Sequence, residues 1–195
     1  MGHFEIVKCI AEHLEDKNPA KNDGWTTLHL AAHKGNFEIV EYIMEQIENK
    51  NPMMNDGWAP LHSAAQEGYL EIAKYIMAQL EDKNPIINNG LTPLHLAAKG
   101  GHFNIVKFIA DQLEDKNPPM NDGKTPLHFA AFWGHLQVVK YIAGYLEDKN
   151  PEMNDGRTPL KIAQERGHIK VVIFLILFSV AHHCFGSCFG LSNLY

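Results

Sequence analysis

Histidine side chains offer the most conspicuous chemistry in this chain, which contains 12 of them among 195 residues. Imidazoles bind transition metals and act as general bases near neutral pH. Most recur at a constant interval, either in a Leu-His pair (His29, His62, His95 and His128) or after a glycine (His3, His102, His135 and His168). Packed helical layers lie about 10 Å apart, whereas the ligands of one metal ion lie about 2 Å from it. We therefore predict structural histidines, with no metal site and no cofactor.

No catalytic signature accompanies the histidines. Ser63 stands without the Gly-x-Ser-x-Gly pattern that surrounds a nucleophile elbow. Gly100-Gly101 fits a turn between helices rather than a phosphate-binding loop. The recurring Glu-Asp pairs fall at the ends of predicted helices, which is typical of a solvated rim. We predict that the chain is not an enzyme.

Charge and cysteine content narrow the class of protein. The net charge is −6 and the isoelectric point is near 6.0, which argues against nucleic acid as the main partner because phosphate binding needs a basic patch. The three cysteines lie near the two ends of the sequence, unlike a secreted disulfide framework. Met1 is not followed by a basic and then an apolar stretch, as in a signal peptide. These features predict an intracellular, cytoplasmic protein.

The elements that position these residues form an internal repeat. Five glycines recur at one strictly constant spacing, at Gly24, Gly57, Gly90, Gly123 and Gly156. A second glycine follows each of them at the same offset, and no insertion or deletion breaks the register; these are Gly35, Gly68, Gly101, Gly134 and Gly167. A fixed period of this length is the sequence mark of a repeat architecture.

Each unit contains two helices and a loop. In the third unit, Thr-Pro begins a short helix from Pro93 to about Lys99, because threonine can cap free N–H groups and proline suits the first helical position. Gly101 ends that helix. A second amphipathic helix is predicted from Phe103 to about Leu113. Glu-Asp-Lys-Asn-Pro and Asn-Asp-Gly then predict a helix stop and a tight, hairpin-like turn.

The pattern Thr-Pro-Leu-His-x-Ala-Ala-x-x-Gly-His, repeated at this period, resembles the ankyrin repeat. The resemblance covers about residues 1–175 and implies an all-α solenoid of helix-turn-helix units joined by β-hairpin-like loops. It also implies that the imidazole of the Leu-His pair binds the loop backbone. The predicted segments are residues 1–23, a partial repeat with only the second helix and loop; 24–56, 57–89, 90–122 and 123–155, full repeats; 156–181, a C-terminal repeat with an apolar last helix; and 182–195, an irregular tail.

Several positions depart from the family pattern. Thr27 replaces the usual proline and Ala59 the usual threonine, so two helix starts are weakened. Leu-Glu-Asp replaces the usual Gly-Ala-Asp turn, which favours a longer second helix that ends without a left-handed glycine. Four of the five positions before Asn-Asp-Gly or its variant are apolar, and we expect them to line the base of the loops; the five are Lys21, Met54, Ile87, Met120 and Met153.

A partner-binding surface is predicted at the positions of the repeat where the residue type varies from copy to copy, while the other positions stay constant. The resemblance implies that protein partners dock on the concave face formed by loop tips and first helices. The candidate residues are Trp25, Trp58, Leu91, Lys124 and Arg157 after the loop glycine; His33, Gln66, Glu67, Lys99, Phe132 and Trp133 at the first-helix end; and Met53 and Ile86 in the loop tips. Large aromatic residues and arginine are common interface anchors. An alternative is that Trp25 and Trp58 simply cover the loops.

The apolar segment from Val171 to Ala181 is open to three interpretations. It could be an overlong last helix that packs on the fifth repeat, an unrelated read-through or alternative-exon sequence, or a membrane-associated segment. It is shorter than the ~20 residues needed to span a bilayer. A zinc site would have to use His182, His183, Cys184 and Cys188, but a single Cys-x-x-x-Cys without a second pair is a weak zinc pattern.

These observations favour a non-catalytic adaptor or scaffold, a monomer that binds another protein and neither nucleic acid nor a membrane. Residues 1–23 hold half a repeat, which is either a makeshift cap or a sign that the chain belongs to a longer array; we favour the longer array because terminal repeats usually carry a polar outer face. The alternative function is therefore part of a larger channel, kinase or ubiquitin-ligase subunit whose activity lies outside this chain. A third possibility is a spacer with no dedicated partner.

Overall fold

A computed structural model describes the backbone of residues 2–189 and the side chains of residues 4–179. Within that range the chain is helical, with one isolated antiparallel bridge between Ala20 and Thr26. The helices are α1 (Gly2–Glu12), α2 (Thr27–Lys34), α3 (Phe37–Gln46), α4 (Pro60–Glu67), α5 (Leu70–Ala78), α6 (Pro93–Gly100), α7 (Phe103–Ala110), α8 (Pro126–Trp133), α9 (Leu136–Tyr145), α10 (Pro159–Glu165) and α11 (Ile169–Phe189).

The chain divides into two compact units, residues 1–114 and 115–195. In the first unit, the first helices α2, α4 and α6 pack side by side, and the second helices α1, α3, α5 and α7 form a parallel row against them. In the second unit, α8 packs on α10 and on α9, and α11 packs on both α9 and α10. Each unit is therefore built from two layers of short antiparallel helices.

Small residues bring the first helices close together. Ala64, Ala65, Ala97 and Ala98 have no exposed surface, and leucines such as Leu61 are equally buried between the layers. Burying a leucine side chain contributes about 1.5–3 kcal/mol. The packing therefore explains why the Leu-His-x-Ala-Ala core of the repeat is almost constant.

The first helices begin as the sequence predicts. Thr92 has extended backbone angles, and its hydroxyl oxygen accepts the N–H of His95 at 3.4 Å. Thr26 does the same for α2, which begins at Thr27 without a proline. Ala59 makes no such side-chain bond at the start of α4, so that start lacks a cap worth about 1 kcal/mol.

Left-handed glycines end four of the first helices, and Gly68 illustrates why no other residue fits. Its φ angle is +86°, and an added Cβ would lie 2.6 Å from the His102 ring. The His102 Nε2–H donates a hydrogen bond to the carbonyl of Gln66 at 2.9 Å. The glycine thus leaves room for an imidazole that joins one repeat to the one before it.

The second helix of the third unit is shorter than the sequence predicts. α7 ends at Ala110 rather than near Leu113, and, as predicted, it ends without a left-handed glycine. The Lys-Asn-Pro segment satisfies carbonyl groups at the ends of second helices. After α1, the Lys17 ammonium donates to the carbonyls of Ala11 and Leu14 at 2.7 and 2.6 Å, so these terminal acceptors are satisfied outside the helix.

In four of its five copies, the same segment connects a second helix to the following first helix. The Asn84 N–H donates to Asp82 Oδ1 at 2.9 Å, and Asn84 Oδ1 accepts the N–H of Leu94 at 3.1 Å. Asn18, Asn117 and Asn150 make the equivalent bonds. The Glu-Asp-Lys-Asn-Pro motif is therefore a structural clamp in addition to an exposed rim.

Asparagines also connect neighbouring loops. The Asn55 N–H donates to the carbonyl of Asp23 and its Nδ2 donates to that of Asn22, both at 3.1 Å. Asn154 repeats the arrangement in the second unit. The apolar residues before these asparagines lie at the loop base as predicted, with Met153 buried and Met54, Ile87 and Met120 half-buried.

The last helix extends beyond its predicted end. The predicted irregular tail begins at residue 182, but α11 continues to Phe189. No proline interrupts this stretch, and histidine and cysteine disfavour a helix only mildly. Residues 190–195 lie outside the described part of the chain. Among the residues searched, which are the described ones, no helix is both long and apolar enough to cross a membrane.

Candidate protein-binding surface

The residues after the loop glycine are all half-buried, but their surroundings differ. The Trp25 ring stacks on the His29 imidazole at 5.6 Å, and the Trp58 ring packs on that of His62 at 5.3 Å. The Trp58 Nε1–H also donates to Ser63 Oγ at 2.9 Å. These contacts support the interpretation that both tryptophans cover the loops, with part of each ring left exposed.

The imidazoles beneath them serve the framework. The Trp58 carbonyl can only accept, so His29 Nε2 donates to it at 3.0 Å, and His29 Nδ1 therefore accepts the Thr26 N–H at 3.2 Å. His128 makes the same contacts with Thr125 and with the carbonyl of Arg157. The imidazole thus joins a helix start to the next loop, as the resemblance implies.

Burial keeps these rings neutral. Burial lowers the pKa of His62 to about 4, and nearby backbone groups oppose the shift only in part. The pKa of His128 is lowered to about 4 for the same reason, and that of His29 is lowered as well. Neutral, buried imidazoles that hydrogen-bond to the backbone through both ring nitrogens, as those of His29 and His128 do, are structural. The described residues contain no group of three or more metal-binding side chains.

The two basic loop residues are paired with their own loops. Lys124 Nζ lies 3.6 Å from Asp122 Oδ2, and Arg157 Nε donates to Asp155 Oδ2 at 2.7 Å. Hydrogen bonds from the Arg157 backbone N–H and side chain lower the pKa of Asp155. The charges of Lys124 and Arg157, both predicted partner-binding residues, are therefore largely neutralised within their own loops.

In the first unit, the structure brings three predicted residues together. His33 Nδ1 lies 3.4 Å from Glu67 Oε1, and the Trp25 ring meets the His33 ring edge-on at 6.1 Å. Gln66 is half-buried and its carbonyl is occupied by His102, whereas Lys99 is exposed. This end of the first helices is therefore a polar surface with an aromatic edge.

The loop tips of the first unit are apolar. Met53 and Ile86 are 53% and 66% exposed, and Leu91 is half-buried at the base of its loop. Met53 also borders a shallow cavity of about 330 Å³ between the first two loops. The wall of that cavity includes Ile47 and Ala20. An extended apolar side chain of a partner could fit there.

In the second unit, Phe132 and Trp133 form an aromatic pair with ring centroids 5.3 Å apart. Trp133 is 50% exposed. The Arg166 guanidinium lies over the Phe132 ring, 3.7 Å from its centroid. Of the three tryptophans, Trp133 is the one that leaves most of its ring available to a partner.

Sequence reasoning did not select two residues that the structure places on these surfaces. Leu30 is 46% exposed on α2, although its counterparts Leu96 and Ile162 are buried. Arg166 belongs to the repeat after that of Phe132 and meets it only through packing. No local pattern distinguishes either residue.

The candidate zinc ligands His182, His183, Cys184 and Cys188 have side chains outside the described residues. Cys9 is an exposed free cysteine.

A protein family model confirms what the repeat and the fold indicate. The family described as ankyrin repeats (3 copies) matches residues 1–87 and 77–153. The chain belongs to the ankyrin repeat family, whose members are in general non-catalytic protein-binding modules. No curated protein matches the sequence significantly.

Proposed function

We propose that this chain is an adaptor or scaffold that binds a partner protein through its loop tips and first-helix ends. The observation that carries the proposal is the contrast between framework and surface. Most of the repeated His and Asn side chains bond to neighbouring backbone groups, whereas variable side chains such as Met53, Ile86 and Trp133 are exposed. Fixed elements that present variable exposed side chains are the usual arrangement of a repeat protein with an extended binding surface.

Two properties support a protein partner. The candidate surface combines large exposed apolar side chains with basic loop residues that are paired within their own loops, and large apolar anchors are typical of the centre of protein interfaces. The net charge of −6 is unfavourable for nucleic acid. We further propose that the chain acts as a cytoplasmic monomer without a cofactor.

Site-specific photo-crosslinking tests the proposal. A photoreactive phenylalanine analogue is placed at Met53 or Trp133, and at Lys107 on the exposed face of a second helix as a matched control. In cell extract, we expect the first two positions to crosslink to the same partner protein and the control to give none. Crosslinks from Lys107 alone would contradict the proposed face, and no crosslink from any position would contradict the adaptor function.

A second candidate is that the chain works within a larger channel, kinase or ubiquitin-ligase subunit. Ile6 and Ile10 are 60% and 56% exposed, whereas their counterparts Ile72 and Ile76 are almost completely buried. This exposure favours an additional helix packed over α1. Replacing both isoleucines with glutamate should then disrupt the larger protein's fold while leaving the isolated chain folded, as measured by circular dichroism.

A further inference from the structure

The aromatic pair of the second unit occupies slots that are polar elsewhere in the chain. The counterparts of Phe132 are His33, Gln66, Lys99 and Glu165, and those of Trp133 are Lys34, Glu67, Gly100 and Arg166. Trp133 is nevertheless half exposed. The Trp133 indole and the adjoining Phe132 ring together form an aromatic patch at positions that are otherwise polar, and contiguous apolar patches of this kind are typical of binding sites.

Arg166 completes this surface. Its guanidinium stacks on Phe132 at 3.7 Å, and no described carboxylate lies within ion-pair distance of it. Arg157 in the adjoining loop is, by contrast, paired with Asp155 at 2.7 Å. Stacking holds the guanidinium plane in place while its N–H edge stays available to a planar acceptor such as a carboxylate.

The backbone beneath the pair is also fixed. The His168 Nε2–H donates to the carbonyl of Phe132 at 2.9 Å, and the Arg166 N–H donates to that of Ile162 at 3.0 Å. Both side chains therefore project from constrained positions. Preorganised anchors lose less conformational entropy when a partner binds.

The charges of α10 and its C-terminal end favour an anion. α10 carries Lys161 and Glu165, both exposed and neither in an ion pair among the described residues. Together with Arg166 they leave an excess of one positive charge. Strong nucleic acid binding needs several unpaired cations, which this surface does not provide, so a single carboxylate is the better match.

Resting on the proposed protein-binding function, we propose that Phe132, Trp133 and Arg166, here called the aromatic–arginine patch, bind an acidic segment of the partner protein. One aspartate or glutamate carboxylate of that segment pairs with the Arg166 guanidinium. A neighbouring apolar side chain packs on the exposed face of Trp133.

The test begins with a phage-displayed library of random peptides selected on the full chain. The most enriched peptide is synthesised, and its Kd is measured by isothermal titration calorimetry. We expect an acidic residue next to a large apolar residue in the selected sequences. Arg166→Gln and Trp133→Ala should each weaken binding about tenfold, and Arg166→Lys should also weaken it because lysine neither stacks nor pairs in a bidentate manner.

Controls separate this patch from general electrostatics. Lys34→Gln removes an exposed cation from the corresponding slot of the first repeat and should leave the Kd unchanged. Replacing the peptide carboxylate with an amide should weaken binding to the wild-type chain and abolish the difference between it and Arg166→Gln. Circular dichroism confirms that each variant is folded.

Three outcomes would overturn the proposal. Selected peptides whose Kd is insensitive to Arg166→Gln and Trp133→Ala would place binding elsewhere and leave the adaptor function standing. Failure to select any peptide, together with absence of photo-crosslinks, would overturn both. Tighter binding of an oligothymidine than of every acidic peptide would assign the patch to nucleic acid.

Discussion

At the scale of single residues, buried histidines such as His29 and His128 connect a first helix to the next loop. The ring accepts from the threonine N–H through Nδ1 and donates to a carbonyl through Nε2, as His29 does between Thr26 and Trp58. A proton on Nδ1 would place two donors face to face. The arrangement is thus stable only with a neutral imidazole.

This requirement predicts acid sensitivity. The folded-state pKa values of His62 and His128 are about 4, below the unfolded value of 6.5, so the unfolded chain binds more protons below pH 6.5. Their stabilisation is complete above pH 6.5 and is lost as the pH falls toward 4. The free energy of unfolding should drop by about 2 kcal/mol per histidine between pH 7.5 and 5. Urea denaturation at both pH values measures the loss.

Removal of one buried imidazole supplies the control for this prediction. His128→Gln should reduce the drop between pH 7.5 and 5 by about 2 kcal/mol, because one of the two buried imidazoles is then missing. If the wild-type chain is equally stable at pH 7.5 and 5, the neutral-imidazole interpretation is wrong.

The asparagines of the Glu-Asp-Lys-Asn-Pro motif give a second prediction at the scale of single residues. Asn84 Oδ1 accepts the N–H of Leu94, whereas the buried Oδ1 of Asn51 has no partner. Asn84→Ala should lower the free energy of unfolding by about 1–3 kcal/mol because it leaves a backbone donor unsatisfied. Asn51→Ala, the matched control, should change it by less than about 0.5 kcal/mol. Equal losses in urea denaturation would show that the hydrogen bond is not the cause.

At the scale of elements, α11 differs from every other second helix. Ile173 is 51% exposed at a slot that holds Lys8, Glu41, Lys74, Lys107 or Lys140 in the other copies. Leu177 is also exposed, whereas Leu175 is completely buried. The apolar character of this helix therefore exceeds what packing against α9 and α10 requires.

Substitutions on the exposed and buried faces of α11 should differ in their effect on stability. Ile173→Lys restores the residue type of the other repeats and should change the free energy of unfolding by less than about 0.5 kcal/mol. Leu175→Ala should cost about 2–5 kcal/mol because it leaves a cavity in the core. Thermal denaturation of both variants distinguishes them, and a large loss from Ile173→Lys would mean that this face is covered in the folded protein.

At the scale of the molecule, stability is shared between neighbouring repeats. In the first unit, α4 packs on both α2 and α6, and Leu61 is completely buried between the layers. In a repeat array the interfaces between neighbours supply most of the stability. A substitution that destabilises one repeat should therefore also destabilise the repeats packed against it.

Hydrogen exchange tests this coupling. Leu61→Ala should cost about 2–5 kcal/mol and should reduce amide protection in α2 and α6 as well as in α4. Lys74→Ala removes an exposed side chain from α5 and serves as the control. Loss of protection confined to α4 would show that the repeats fold independently.

Much of the fold could be predicted because its signals are local. The Thr-Pro starts at residues 92 and 125 and the glycine ends at 101 and 134 act within one turn of helix, and the structure confirms them. The end of α7 at Ala110 could not be predicted from the local pattern. The same is true of the bonds by which a lysine after a second helix reaches back to the terminal carbonyls of that helix, as Lys17 does.

For the candidate surface, the sequence predicted which repeat positions to consider but not which of their side chains are exposed. The sequence selects Trp25, Trp58 and Trp133 as candidates and leaves open whether the first two cover the loops. In the structure those two pack on histidines, whereas Trp133 is half exposed. Lys124 and Arg157 looked available, although an aspartate in the same loop holds each of them. Exposure and pairing depend on how side chains meet in space.

The sequence by itself determined the repeat, its helices and the structural role of its histidines, because periodicity and helix-end chemistry act over short stretches of chain. Only the tertiary structure decided which variable side chains face a partner. Packing places Arg166 on Phe132, a residue of the preceding repeat. No periodic pattern encodes that contact, since it depends on side chains that break the pattern.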